Sequence, residues 1–129
     1  MLLSMRQKRV LIVEDDADLR RMFRTSLALA GYIVDEASDG LDALRIVDER
    51  LPDLIVLDLV LQFLDGLSVQ QELAARALTR QIPIVIVTGS TIPTHGLPVA
   101  CVLKKPVMPD ELVRTVQQCM AHGAPASGA

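Results

Sequence analysis

Short apolar runs and stretches of helical period alternate along this chain. "RVLIV" (9–13) is rich in β-branched residues and too short for an independent helix, so it predicts a strand. From Asp16 onward, Leu19, Met22, Phe23, Ser26, Leu27 and Ala30 follow at spacings of three and four, which is one face of a helix. Gly31 stands where a helix C-terminal glycine belongs. "YIV" (32–34) predicts a second, short strand ending in the polar "DEASDG". Leu41, Leu44, Val47 and Leu51 give a second helical stripe, closed by Pro52. "LIVL" (54–57) predicts a third strand, and residues 67–78 a third helix with Leu67, Ala74, Ala77 and Leu78 on related turns. "PIVIV" (83–87) and "VACVL" (99–103) predict the fourth and fifth strands. A last helix starts near Pro109, where a first-turn proline fits and Asp110 and Glu111 favour the positive end of the helix dipole. Its stripe is Leu112, Val116, Cys119 and Met120.

Strands that are apolar runs rather than strict alternations, separated by helices, belong to a parallel sheet covered on both faces. Five such units in this length predict an α/β fold with the flavodoxin-like strand order 2-1-3-4-5 and a ligand site at the carboxyl ends of the strands. The division expected is an N-terminal arm (1–8), one domain (9–120) and a tail or linker (121–129).

Composition narrows the class. A chain of 129 residues is one domain by size, and half of its residues are apolar, which excludes a disordered chain. With only Phe23, Tyr32 and Phe63 as aromatics, the core must be aliphatic. A formal charge of −3, with no basic cluster beyond Arg6, Lys8 and Arg9, leaves no electrostatic footprint for nucleic acid. No apolar run approaches membrane-spanning length, and Cys101 and Cys119 lack metal spacing, which fits small core residues in a reducing, cytoplasmic compartment. His95 and His122 have no partners in the pattern and read as surface residues.

The chemistry gathers where the strands end. Asp58 follows a buried apolar run, and a carboxylate there is costly unless something pairs with it. The first strand ends in "EDD", the third in Asp58, the fourth in "TG", and the fifth runs into "KKP". Parallel strands share a direction, so all four termini meet at one edge. Glu14, Asp15 and Asp58 would crowd there, and clustered carboxylates repel unless a cation or a proton joins them. Hard oxygen ligands with few other groups suit Mg²⁺. A lysine at 105 can neutralise a phosphoryl oxygen and the Thr88 hydroxyl can donate to another, so the pattern describes phosphoryl transfer with an aspartate as acceptor.

In order, "LIVEDD", "LIVLDLVLQFLDG", "VIVTG" and "LKKP" resemble the receiver domain of two-component response regulators, over about residues 9–120. That resemblance implies a CheY-like fold and a role for each position. Asp58 would receive a phosphoryl group from a phosphohistidine on a sensor histidine kinase or histidine phosphotransfer protein. Asp15 would bind Mg²⁺ directly and Glu14 through water, with Asp58 and the Val60 main-chain carbonyl completing the protein's share. Thr88 and Lys105 would contact the phosphoryl group, the Lys105–Pro106 bond would be cis, and Gly66 would take a positive φ after the loop.

Two departures from the family pattern stand out. The proline usual four residues after the phosphorylated aspartate is Gln62 here, which should loosen the loop without removing a ligand. Between Thr88 and Lys105 lies "GSTIPTHGLPVACVLK", where Gly89, Pro93, Gly96 and Pro98 leave no run long enough for a stable helix. The helix expected between the fourth and fifth strands should therefore be missing or reduced to a turn, and Val102 occupies the place of the usual switch aromatic. The catalytic half looks intact and the output face rebuilt. A phosphoacceptor signalling domain, acting on a downstream effector or an output domain as a monomer or non-standard dimer, is the leading function. A phosphorylation-independent interaction module is the alternative. A phosphatase ranks last, because Val60 stands where a general acid two residues after the nucleophile would be needed.

Overall fold

The computed structural model describes residues 6–89 and 91–122. Five strands, β1 (Arg9–Val13), β2 (Ile33–Ala37), β3 (Leu54–Leu57), β4 (Ile84–Thr88) and β5 (Cys101–Lys104), form one parallel sheet in the order β2-β1-β3-β4-β5. Among the described residues four helices accompany them: α1 (Ala17–Leu29), α2 (Gly40–Glu49), α3 (Gly66–Ala75) and α4 (Pro109–His122). The strand order and α/β class are those the apolar pattern predicts.

Side chains along the central strands alternate between two cores, as the two-residue period of a strand requires. Leu11, Val13, Ile55, Leu57, Ile84 and Ile86 pack with Ala43, Ile46 and Val47 of α2 and Val69 and Leu73 of α3. Val10, Ile12, Leu54, Val56, Val85 and Val87 pack instead with Phe23 and Leu27 of α1 and Leu112 and Val116 of α4. Both faces are covered, which is why β3 and β4 are buried at every position. Cys101 and Cys119, both free thiols, lie half-buried against the second core.

Helix starts are set by side-chain caps. Asp16, Asp39 and Asp65 each accept a hydrogen bond from the main-chain amide three residues on, opening α1, α2 and α3. Gly31 takes φ +103 after α1, the conformation for which a helix-ending glycine is suited.

Several local expectations are corrected. The second strand does not end at Val34 but continues through Asp35, Glu36 and Ala37. It is an edge strand, and its acids are matched by arginines: Asp35 with Arg9 at 2.7 Å and Arg50 at 3.2 Å, Glu36 with Arg20 and Arg24 at 3.2 Å each. In α2 the expected Val47 is buried and Leu44 packs on the core, but Ala43 and Ile46 are buried beside them, Leu41 is exposed, and Leu51 lies exposed beyond the helix end. The third helix stops at Ala75, and its buried face is Val69, Gln70 and Leu73, leaving Ala74, Ala77 and Leu78 outside. Past its end, the buried Thr79 hydroxyl donates to the Leu73 carbonyl at 2.6 Å, satisfying one of the carbonyls that a helix terminus leaves open.

Between β4 and β5 the described residues hold no helix. A turn closes with Leu97 N donating to Thr94 O at 3.2 Å, and Gly96 takes φ +86. Ile92, Leu97 and Val99 lean on the α2/α3 core and cover the sheet in place of a helix. Ser90 lies outside the described residues. So do residues 1–5 of the expected arm and 123–129 of the expected tail; Ala121 and His122 belong to α4. The described part of the arm is tied down: Arg6 pairs with Asp53 at 3.1 Å, and Gln7 donates to Gly31 O at 3.0 Å.

Candidate functional site

At the carboxyl edge of the sheet lies an open cleft of ≈ 380 Å³ lined by Asp15, Asp58, Val60, Gly89 and Lys105. Glu14 and Asp15 leave β1, Asp58 leaves β3, Thr88 ends β4 and Lys105 follows β5. Asp58 is held by the sheet itself, since its amide donates to Val13 O at 3.0 Å. The Lys105 amide likewise donates to Thr88 O at 3.0 Å.

Burial grades the acids. Glu14 is 2 % exposed, Asp58 5 % and Thr88 2 %, whereas Asp15 is exposed. One carboxylate oxygen from each of Glu14, Asp15 and Asp58 lies within 4.8 Å of the others. Asp58 Oδ1 accepts from the Val60 amide at 3.1 Å and Oδ2 from Lys105 Nζ at 2.9 Å. Lys105 Nζ also lies 2.8 Å from Glu14 Oε1, so one ammonium is ion-paired with two buried carboxylates. The other Glu14 oxygen accepts from the Asp16 amide at 3.2 Å.

The electrostatics follow from this crowding. Burial first, with the nearby Asp58 carboxylate adding to it, pushes the Glu14 carboxyl up to about 7, against the opposing pull of Lys105 and the Asp16 amide. Burial alone would lower the Lys105 ammonium; Glu14 and Asp58 overcome it and raise the net value. Glu14 and Asp58 share one lysine and the Asp15 carboxylate lies beside them, so the cluster has an unmet demand for positive charge. An all-oxygen donor set that lines a cleft open to water fits a hard divalent cation such as Mg²⁺.

All the positions singled out in the sequence for chemistry lie at this edge, with Lys105 rather than the exposed Lys104 reaching Asp58. The Lys105–Pro106 bond is cis, as the resemblance implies. Gly66 is placed differently: it opens α3 without a positive φ, and the positive value falls on Phe63 (φ 68), an 80 % exposed ring. Gly66 is needed for closeness instead, because a Cβ there would stand 2.2 Å from Asp58 O and 2.5 Å from Leu59 Cα. Gly40 is similar, a Cβ meeting Leu64 O at 2.0 Å, so two glycines hold the Asp58–Gly66 loop from either side. Gly40, Gly89 and the Val60 amide have no sequence signal beyond residue type.

The model of the response regulator receiver domain family matches residues 10–117, and the chain belongs to that family. It is 33 % identical over 125 residues to the response regulator MprA of a Mycobacterium species, covering 93 % of this chain and 54 % of that protein. The chain spans between about a third and about half of the length of the curated relatives it matches. Among solved structures, the chemotaxis response regulator CheY4 of Vibrio cholerae superposes with a TM-score of 0.81 at 27 % identity, over 88 % of this chain and 98 % of that one. The receiver domain of a sensor histidine kinase from Pseudomonas aeruginosa, with a magnesium ion coordinated in its active-site cleft, has a TM-score of 0.81 at 27 % identity, over 90 % and 99 % of the two chains. The protein is thus a response regulator receiver domain of two-component signalling, with no helix among the described residues long and apolar enough to cross a membrane.

Proposed function

We propose that this receiver accepts a phosphoryl group on Asp58 from a phosphohistidine of a sensor histidine kinase or histidine phosphotransfer protein, in a Mg²⁺-dependent reaction in the cytoplasm. The observation that carries the reading is the Asp58 carboxylate at a cleft mouth, 2.9 Å from Lys105 Nζ, with Glu14 and Asp15 oxygens within 4.8 Å. One Asp58 oxygen attacks phosphorus while the P–N bond to the donor imidazole breaks and its electron pair returns to nitrogen. Lys105 pairs with a phosphoryl oxygen and the Thr88 hydroxyl donates to another. Asp15, Asp58 and the Val60 carbonyl would hold the metal, with Glu14 contributing through water. Mg²⁺ supplies charge neutralisation between the anionic acceptor and the anionic phosphoryl group. The Val60 amide fixes the orientation of the nucleophile before the donor arrives.

Loss of the phosphoryl group is by self-catalysed hydrolysis, in which water attacks phosphorus, the P–O bond to Asp58 breaks and the carboxylate leaves without needing a proton. Output passes to a downstream protein or an output domain through a face without the usual helix and with Val102 in place of an aromatic, as a monomer or a non-standard dimer. The test is incubation with Mg²⁺ and a small acyl phosphate, read by intact mass. The expected result is a gain of one phosphate that Asp58→Asn abolishes. No gain under any condition overturns the reading and leaves a constitutive interaction module, the reading to which the absent helix lends weight.

A further inference from the structure

We infer that Arg20 is a positioning residue that braces the β1–α1 loop in the shape needed to bind the cation. This inference rests on the proposed Mg²⁺ site and assigns part of its affinity to a residue outside the cleft. Arg20 sits early in α1, one turn after the N-cap Asp16, and its side chain is 20 % exposed. It folds back over the loop, and Nη1 donates to Glu14 O at 2.7 Å and, at the long limit of 3.5 Å, to Asp15 O. Its Nε donates to Glu36 Oε1 at 3.2 Å, and Arg24 pairs with the other Glu36 oxygen at 3.2 Å. The guanidinium is therefore fixed at both ends, to the edge strand β2 and to the peptide groups of two of the three site acids.

The loop has few other ties. β1 ends at Val13, the Glu14 amide donates to Ala37 O at 3.1 Å, and the Asp16 amide donates to Glu14 Oε2. That last bond occupies a Glu14 oxygen and sets the path of the main chain through Asp15. Asp15 is the exposed member of the acid cluster, so its placement depends on the backbone that Arg20 grips.

Charge and geometry make opposite demands, which separates this role from a bland one. A guanidinium acting only as a charge near a cation site repels the cation, so its removal would tighten Mg²⁺ binding. A brace acts the other way: its removal lets Glu14 and Asp15 wander and weakens binding. The Arg20 hydrogen bonds go to main-chain carbonyls and to Glu36, which is the pattern of a brace.

The experiment is calorimetric titration of the full chain with MgCl₂, in the unaltered protein and in Arg20→Ala, Arg20→Lys and Glu36→Gln. Arg20→Ala should bind Mg²⁺ about tenfold more weakly or worse. Arg20→Lys, which keeps the charge and one donor, should recover part of the loss. Glu36→Gln, which keeps both arginines but loosens their anchor, should weaken binding in the same direction. In the metal-free protein, amide exchange at Asp16 should be faster in Arg20→Ala. Equal or tighter Mg²⁺ binding by Arg20→Ala overturns the inference while the phosphoacceptor reading stands. If Arg20→Ala does not fold, unchanged affinity in both other variants overturns it. Absence of Mg²⁺ binding by the unaltered protein overturns the metal site and the inference together.

Discussion

Replacing Gly66 by alanine is the sharpest perturbation of the loop that carries the acceptor. The added Cβ would stand 2.2 Å from Asp58 O, 2.5 Å from Leu59 Cα and 3.0 Å from Asp58 C, all main-chain atoms that no rotamer change can move aside. Ordinary contact begins at 3.4 Å. The loop or the start of α3 must therefore retreat by about 1 Å, breaking or stretching the 2.9 Å bond from Gly66 N to Leu59 O. Overpacking of this kind costs about 2–3 kcal/mol, which in a domain of this size lowers Tm by roughly 6–12 °C. The same retreat carries Asp58 with it, and a misplacement of about 1 Å at a reacting group costs on the order of 100-fold in rate. Gly31→Ala is the control: a Cβ there meets nothing within 4 Å, but φ is +103. It should lose about 1–2 kcal/mol through backbone strain and leave phosphorylation by acyl phosphate unchanged. Thermal melts and intact-mass time courses on both variants decide the matter. If Gly66→Ala melts and phosphorylates like the unaltered protein, the close approach assigned to this glycine is wrong.

Other outcomes follow from the same geometry. Lys105→Ala leaves Glu14 and Asp58 buried without a counter-ion, so the metal-free protein should lose about 1–3 kcal/mol in urea unfolding, and Mg²⁺ should restore more stability to the variant than to the parent. A larger response to Mg²⁺ in the parent would contradict this. Because Glu14 is raised from 4.5 to about 7, the folded state binds more protons than the unfolded state between those values. In EDTA, stability should therefore fall as pH rises through that window, by up to about 3 kcal/mol from this group, and level off above it. Glu14→Gln should flatten the slope between pH 4.5 and about 7; an unchanged slope in urea midpoints assigns it elsewhere. Phe63→Asn places a residue tolerant of positive φ where an exposed ring now sits, and should raise stability by about 0.5–1 kcal/mol; a loss of that size would mean that the ring makes contacts its exposure denies.

What the sequence makes legible is decided by how much each residue's environment is local. The apolar runs 54–57 and 84–87 become strands because burial on both faces demands a continuous run. β2 is hard to bound because Asp35 and Glu36 are tolerated in a strand only through arginines up to 26 residues away in sequence. In α2, two stripes of similar period compete, and only docking on the sheet buries Ala43 and Ile46 beside Val47 while leaving Leu41 exposed. The lost helix after β4 is readable, since glycine and proline forbid it locally. That Ile92, Leu97 and Val99 take over its covering role is a tertiary fact. At the site, Asp58 and the flanking acids announce themselves by being charged beside apolar strands. Arg20, Gly40 and the true reason for Gly66 act on main-chain atoms of other segments, where residue type gives no sign.

The central claim is that acids from β1 and β3 share one divalent cation with an anion held opposite by Lys105. A crystal structure of the full chain grown with Mg²⁺ and beryllofluoride tests it most directly. The expected result is a metal bound by Asp15, Asp58 and the Val60 carbonyl, and a beryllofluoride on Asp58 within contact of Lys105 and Thr88. A metal or fluoride bound elsewhere, or an empty cleft with Asp58 still paired to Lys105, would contradict it.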